Sequence, residues 1–461
     1  MKKVIALLMT AVIVLGLCAC GGSSEGGSTN STEGLQIGFA KVNITPNFEV
    51  SLSGYGDQTT RKNKDGFMDY VYVTCIAAKE GDETILFYTM DTIGFDGNRA
   101  DNFRTLVTEE TGISGEKIFF GGTHTHNGPE GTQYEEYIRP LVVQAATDAI
   151  ADLSPATVAV ATEQIEKMNF IRHYKMEDDT YSGANFGNWS IAIKEPAGTA
   201  DKTMMVVKFE RAAEDKKDVV LVNWQAHNDH AKALGYNLVS AGYVGALRSK
   251  LEELTGENVA FFMGASGNLN PSGRMGSEKP SLGWKEYGEK LAESANEILA
   301  KVQPVGGSGI ASTTYTKDGK VNHEWDHMIN QAKEADKMFR EQGKDIANAW
   351  AVAQGFSSVY HARGVMSKYS RGETEPLQMA AFRIHDLGFV VGPCEMFSET
   401  GMAIRADSPY ENTFIIMGNK GYMPTAQAYD FQCYESHLTV FAKGTAEEMH
   451  AKYVEMLGAI K

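Results

Sequence analysis

Two histidines separated by a single threonine, His124 and His126, lie in the stretch Lys117-Ile-Phe-Phe-Gly-Gly-Thr-His-Thr-His-Asn-Gly-Pro129. In an extended chain, residues at i and i+2 point to the same side, so both imidazoles can serve one place. Imidazole is the commonest metal ligand and the usual proton carrier near neutral pH. The plainer alternative is a pair of hydrogen-bonded histidines in a turn. Ile118-Phe119-Phe120 reads as a buried strand, and Asn127-Gly128-Pro129 ends it. The strand would therefore deliver the pair at its carboxyl end, the edge at which open α/β sheets bind ligands.

Four other places have the same form, a short polar segment just past an apolar run. Val219-Val-Leu-Val-Asn-Trp-Gln-Ala-His227 ends on a histidine, with His230 beyond it. Phe261-Phe-Met runs into the glycine-rich loop Gly264 to Pro271, a type that allows close ligand approach. Phe389-Val-Val-Gly-Pro-Cys-Glu395 delivers a carboxylate, and Phe414-Ile-Ile-Met-Gly-Asn-Lys-Gly-Tyr422 a phenol. Taken alone, Glu395 reads as a helix-start carboxylate and Tyr422 as packing. Together, strand after strand ends in a group that can bind or move charge. Two histidines and one carboxylate suffice for a catalytic zinc site that keeps a position for water. Such a metal polarises a carbonyl and brings the pKa of water towards ~7.

The elements that would carry these groups alternate between strand and helix. Strands are predicted at 70–78, 84–90, 117–122, 157–161, 204–210, 218–223, 258–263, 378–384, 388–392 and 413–417. Helices are predicted at 98–111, 133–153 (with Pro140 inside), 242–255, 284–302 and 446–460, the last opened by a Thr445/Glu448 capping box. A long polar helix is expected around 322–350. This pattern predicts an α/β fold: one large domain, a mixed β-sheet core flanked by helices, and the active site at the strand carboxyl ends.

The chain has 461 residues and a formal net charge of −16, which argues against a nucleic-acid partner and against docking on anionic lipid. Lys2 and Lys3 precede an apolar run, Val4 to Leu17, too short to span a bilayer comfortably. The run ends in Leu17-Cys18-Ala19-Cys20, which resembles a bacterial lipobox. The expected organisation is a signal peptide over 1–19, a Gly/Ser-rich tether over 20–34 starting at a lipidated Cys20, and a catalytic domain over 35–461. That places the protein outside the cytoplasm, anchored to the cell membrane by lipid. Cys75, Cys394 and Cys433 remain, with no Cys-x-x-Cys among them, so neither a disulfide scaffold nor a cysteine-rich zinc site is expected.

The segment Gly122-Thr-His-Thr-His-Asn-Gly-Pro129 resembles the signature of the neutral, non-lysosomal ceramidases, zinc amidases with an α/β catalytic domain. The resemblance is distant but ordered, from about residue 35 to the C-terminus. It includes Gly38 to Pro46, Asn223 to His227, Gly392 to Thr400, and Gly421, Tyr422, Thr425, Tyr434 and Glu435. Carried over residue by residue, it implies Zn2+ held by His124, His227, Glu395 and Tyr422. His126 would sit beside the water, Tyr434 would donate to the oxyanion, and Arg172 in Asn169-Phe-Ile-Arg-His would be the active-site arginine. His126 and His230 are the substitutes if the ligand set differs by one histidine. The implied reaction is hydrolysis of an amide bond in a ceramide-like or other N-acyl substrate. The chain departs from the pattern at Asn127, at Asn228 and in Gly267-Asn-Leu-Asn-Pro271, where the family has Asp and Ser. Rival readings are an amidohydrolase-type barrel acting on a non-lipid substrate and a non-catalytic lipoprotein that binds a solute or glycan.

Overall fold

The computed structural model describes residues 34–55, 61–230, 235–275 and 282–461. Cys20, the expected signal segment and residues 20–33 of the tether lie outside the described residues. The main sheet has nine strands. Its order is Asn258–Met263, Val219–Trp224, Thr203–Arg211, Ser154–Gln164, Gln36–Asn43, Tyr72–Glu80, Glu83–Met90 and Ile118–Gly122, and Gln303–Pro304 pairs beside this path on Ser154–Gln164. Most neighbours are antiparallel, but the two outermost pairs, Glu83–Met90 with Ile118–Gly122 and Val219–Trp224 with Asn258–Met263, are parallel. Ile118–Gly122, Val219–Trp224 and nearly all of Asn258–Met263 are buried. Continuous apolar runs of this kind suit strands covered on both faces.

A second sheet covers the first. It runs Ile310–Lys320, Thr374–Ile384, Leu387–Val391, Asn412–Ile416, and its last pair is again parallel. Aromatic rings fill the space between the sheets. Phe119 stacks on Phe382 at 4.7 Å, Phe382 on Phe389 at 4.4 Å, and Phe262 meets Phe414 edge-on at 5.6 Å. Each fully buried phenylalanine contributes about 2–3 kcal/mol. Helices cover the outer faces. Thr132–Ala151 and Gly97–Thr111 pack on one part of the main sheet, Tyr243–Thr255 and Trp284–Leu299 on another. Ser398–Asp407 and Thr445–Ala459 cover the second sheet. The expected mixed α/β class with helices around a sheet is therefore present. The described strands form open sheets, which removes the barrel rival.

Several local expectations change. The helix over 322–350 is broken into Ile329–Gln342 and Lys344–Ala353, followed by Val359–Tyr369. The break is Gly343, at φ 88°, a left-handed conformation open to glycine and closed to a continuing helix. The Thr445/Glu448 capping box does not form. Gly444 caps the last helix without a side-chain bond, and the Thr445 hydroxyl donates back to the Ala442 carbonyl at 2.8 Å. The helix Thr132–Ala151 runs through Pro140 without interruption. Among the described residues, Cys75, Cys394 and Cys433 are buried and form no disulfide. Among the described residues no helix is long and apolar enough to cross a membrane.

The helices between 329 and 369 have a small core of their own. They clamp the short helix Tyr434–Leu438. His361 stacks flat on His437, ring centroids 3.6 Å apart, and Lys368 Nζ donates to the His437 carbonyl at 2.6 Å. Burial, and then the neighbouring charges, pull His361 down to about 2; burial and Lys368 pull His437 down to about 4. Both are neutral in the fold, whereas an unfolded histidine titrates near 6.5. The unfolded chain therefore binds more protons below that value. The stability from this pair is complete above pH ~6.5 and declines as pH falls towards ~4. For His437 the loss reaches about 3 kcal/mol. Thermal melts from pH 7.5 to 4.5 should show Tm falling through this window, and His361→Phe should flatten the fall. A slope unchanged by His361→Phe would remove the pair as its source.

Candidate metal centre

The parallel strand pairs aim their carboxyl ends at one place. His124 follows Ile118–Gly122 and His227 follows Val219–Trp224. A bridge between Thr125 and Asn228, and the His126 amide donating to the Asn228 carbonyl at 3.1 Å, stitch these two loops together. Glu395 arrives past Leu387–Val391 on a two-residue strand, paired in register with Tyr422. The ring nitrogens of His124, His126 and His227 lie within 4.8 Å of one another, so the three could hold a metal ion. Glu395 Oε2 is 3.3 Å from His124 Nε2 and 3.4 Å from His227 Nε2. All four residues are buried.

The imidazoles are oriented from behind. His124 Nδ1 lies 2.7 Å from the Ile93 carbonyl, and His227 Nδ1 lies 2.9 Å from the Ser266 carbonyl. A carbonyl can only accept, so in both rings Nδ1 carries a proton, which leaves Nε2 as the nitrogen that can serve a metal. Both Nε2 atoms face Glu395. His124 pays for its position with φ 56°, rare for a residue with a side chain and worth about 1–2 kcal/mol of strain. Close approach needs glycine twice. A Cβ on Gly54, at φ 110°, would lie 2.6 Å from His126 Cγ, and one on Gly267 would lie 2.4 Å from the Glu395 carbonyl oxygen.

The donor set fits a cation. Among the described residues, His124 Nε2, both ring nitrogens of His126 and Glu395 Oε2 are buried without a hydrogen-bond partner. Each such orphan costs about 1–3 kcal/mol, and they are gathered in one place. Burial pulls His126 well below the usual histidine range, reinforced by His124 and His227, and burial with the Arg172 charge brings His227 down to about 4. Burial pushes Glu395 up, but His124 and His227 outweigh it and hold the carboxyl below its usual range. Near neutral pH the cluster thus offers His126 and His227 as neutral imidazoles and Glu395 as a carboxylate, the protonation states a metal requires.

The remaining expected residues border this cluster. Arg172 Nη1 is 3.2 Å from His227 Nε2, and its guanidinium carbon is 5.3 Å from the Tyr422 ring. Tyr422 stacks on His227 at 6.3 Å, and Tyr434 meets Tyr422 edge-on at 6.0 Å. Burial raises both phenols above the usual range. His230 is elsewhere. It packs against Tyr243 and Tyr287, at 6.0 and 5.7 Å, so it does not substitute for a clustered histidine. His173, Cys433 and Glu435 form a second buried group whose atom types could hold a metal. There, however, Glu435 already accepts from Arg172 Nε at 2.7 Å and pairs with His173 Nε2 at 2.7 Å.

The amide substitutions have visible work. The Asn127 side chain donates to the Gly235 and Leu238 carbonyls, at 3.1 and 2.7 Å. Asn228 donates to the Ala241 carbonyl at 2.8 Å and accepts from the Tyr243 amide at 3.1 Å. Asn268 accepts from the Ser398 amide at 2.9 Å, just past Glu395, and donates to Glu399 at 2.8 Å. Asp91 was not singled out from sequence, although it follows an apolar run as His124 does. It is fully buried, accepts from Arg248 at 2.9 and 2.6 Å and from the Thr123 hydroxyl at 3.1 Å, and so anchors the start of the histidine loop. Asp91→Ala would strand the Arg248 charge, and a loss of about 3–5 kcal/mol is expected in denaturant unfolding. A loss under ~1 kcal/mol would contradict that anchoring role.

No protein-family model matches the sequence, and no curated protein matches it. The fold does match solved structures. Neutral ceramidase from Pseudomonas aeruginosa aligns with TM-score 0.69 and 16% identity, over 93% of this chain and 74% of that one. A ceramidase complexed with C2 aligns with TM-score 0.67 and 16% identity, over 93% and 75%. At this identity the likeness is one of fold.

Proposed function

We propose that this chain is a zinc-dependent hydrolase of an amide bond in an N-acyl substrate, ceramide-like or smaller. The observation that carries the reading is the buried set His124, His126, His227 and Glu395, with unpartnered atoms converging at the strand ends. The ceramidase-like fold supports it. His124, His227 and Glu395 would hold the ion, with Tyr422 or His126 completing the set. Zinc at such a site acts as a Lewis acid on a carbonyl and lowers the pKa of water.

The chain's own groups have separate tasks. His126 is neutral near pH 7, so one of its unpartnered ring nitrogens can accept a proton. Tyr434 keeps its hydroxyl proton near neutral pH and can donate to a developing oxyanion. Arg172 supplies a fixed cation for the carbonyl or the carboxylate product. The substrate is an N-acyl amine. Lipidation of Cys20 would hold the domain at the outer side of the cytoplasmic membrane, which mass spectrometry of the native N-terminal peptide decides. An unmodified Cys20 would argue against the anchor.

The functional test is a panel of short- and long-chain N-acyl amines, with ceramide, assayed with zinc-loaded, chelator-treated and zinc-restored protein. Hydrolysis of at least one amide, lost with chelator and regained with zinc, is expected. No amide cleavage by the zinc-loaded protein, or cleavage indifferent to chelation, would overturn the reading.

A further inference from the structure

A guanidinium beside a cation-binding cluster is an electrostatic conflict. Arg172 Nη1 lies 3.2 Å from His227 Nε2, on the atom that faces Glu395. Like charges at such range repel strongly where water is excluded. An arginine cannot relieve this by losing its proton, so something must compensate its charge. Among the described residues, Glu435 is placed to do so.

Glu435 is fully buried and comes from the short helix Tyr434–Leu438. Its Oε1 accepts from Arg172 Nε at 2.7 Å and also contacts Nη2, so one edge of the guanidinium is tied down. Its other oxygen lies 2.7 Å from His173 Nε2. The tied edge leaves Nη1 as the nitrogen aimed at the cluster. Burial pushes the Glu435 carboxyl up, but Arg172 and His173 pull it down to about 2, so it is ionised across the working range. Arg172 is also tethered from its backbone, whose amide donates to the Asn268 carbonyl at 3.0 Å. Glu435 adjoins Tyr434 in sequence, so one carboxylate links the helix bearing the proposed oxyanion donor to the arginine that faces the histidines.

We propose that Glu435 is a charge-compensating positioning residue: it holds the Nε edge of the Arg172 guanidinium and offsets its charge, so that a divalent cation and an arginine share one cavity. This rests on the metal-site reading above, and it concerns metal affinity before catalysis. Glu435→Gln keeps the volume and the acceptor oxygen but removes the charge. Arg172 is then uncompensated, and the metal should bind more weakly. Arg172→Met leaves the Glu435 charge in surplus, and the metal should bind more tightly. In the double variant the two shifts should largely cancel, because one substitution removes a negative and the other a positive charge beside the same cavity.

The test is zinc affinity of the chelator-stripped whole ectodomain, measured by competition with a chromophoric chelator. The four proteins are wild type, Glu435→Gln, Arg172→Met and the double variant, each checked by circular dichroism. Expected are a Kd at least tenfold weaker for Glu435→Gln, tighter binding for Arg172→Met, and a double variant within about threefold of wild type. A merely structural role for Glu435 would lower Tm without this opposite-sign pattern. Should Glu435→Gln fail to fold, Arg172→Met against the double variant still decides. Equal affinities in that pair, or weaker binding in Arg172→Met, would overturn the proposal. Wild type that binds no zinc would instead sink the metal-site reading itself, so the two failures are distinguishable.

Discussion

His124→Gly is expected to lose the bound metal and at least ~1,000-fold of kcat/KM while remaining folded. The rate figure corresponds to roughly 4 kcal/mol of transition-state stabilisation, within what a polarising metal supplies. Glycine is the informative replacement because His124 sits at φ 56°. Glycine adopts that backbone freely, so the substitution removes the ligand atom and the strain together. It also deletes an orphaned buried nitrogen. The melting temperature of His124→Gly should therefore equal or exceed that of chelator-stripped wild type. Metal analysis, kinetics and a melt on one preparation check all three parts. Full metal content with full activity would remove His124 from the ligand set. Collapse of the fold would mean that the His124 bond to the Ile93 carbonyl outweighs the strain.

Tyr434→Phe is expected to lower kcat about a hundredfold, with KM little changed and the metal retained. A preorganised oxyanion donor is worth ~3 kcal/mol, and nothing in that interaction is used to hold the ion. The hydroxyl is available for this task because burial keeps it protonated. The ring's position, edge-on to Tyr422 at 6.0 Å and to Tyr360 at 5.9 Å, does not depend on the oxygen. Phenylalanine should hold the same place, so the change isolates the proton donor. Unaltered kcat on the best substrate found would end the oxyanion assignment. A fall in metal content would make Tyr434 a ligand rather than a donor.

The residues of the site are legible in the sequence to different degrees. His124, His227, Glu395 and Tyr422 each follow an apolar run that ends abruptly, and each run is a strand whose end faces the cluster. Local pattern carries that information. The pairing of Asp91 with Arg248, 157 positions later, and of Arg172 with Glu435, 263 positions later, is set only when sheets and helices close. No local pattern marks such partners. In the second sheet Thr374–Ile384, Leu387–Val391 and Asn412–Ile416 read as strands from their apolar runs, and only the outer strand is obscure. That strand, Ile310–Lys320, is largely exposed and rich in Ser, Thr and Lys, so its sequence carries little apolar signal. The polar stretch after residue 322 is expected as one helix although its periodicity is weak, and Gly343, at φ 88°, divides it.

His230 illustrates the limit of residue type as a guide. It lies near His227 in sequence and is largely buried, yet its ring sits among Tyr243 and Tyr287. Burial brings it down to about 4, and among the described residues its ring neighbours are phenols. What distinguishes His227 is the Ser266 carbonyl behind its Nδ1, which turns Nε2 towards Glu395.

The most direct test of the metal centre is anomalous diffraction at the zinc edge from crystals of protein purified without chelator. A single peak is expected about 2.0–2.2 Å from His124 Nε2, His227 Nε2 and a Glu395 oxygen. A peak at His173, Cys433 and Glu435 instead, or no transition-metal peak in zinc-supplemented crystals, would contradict it.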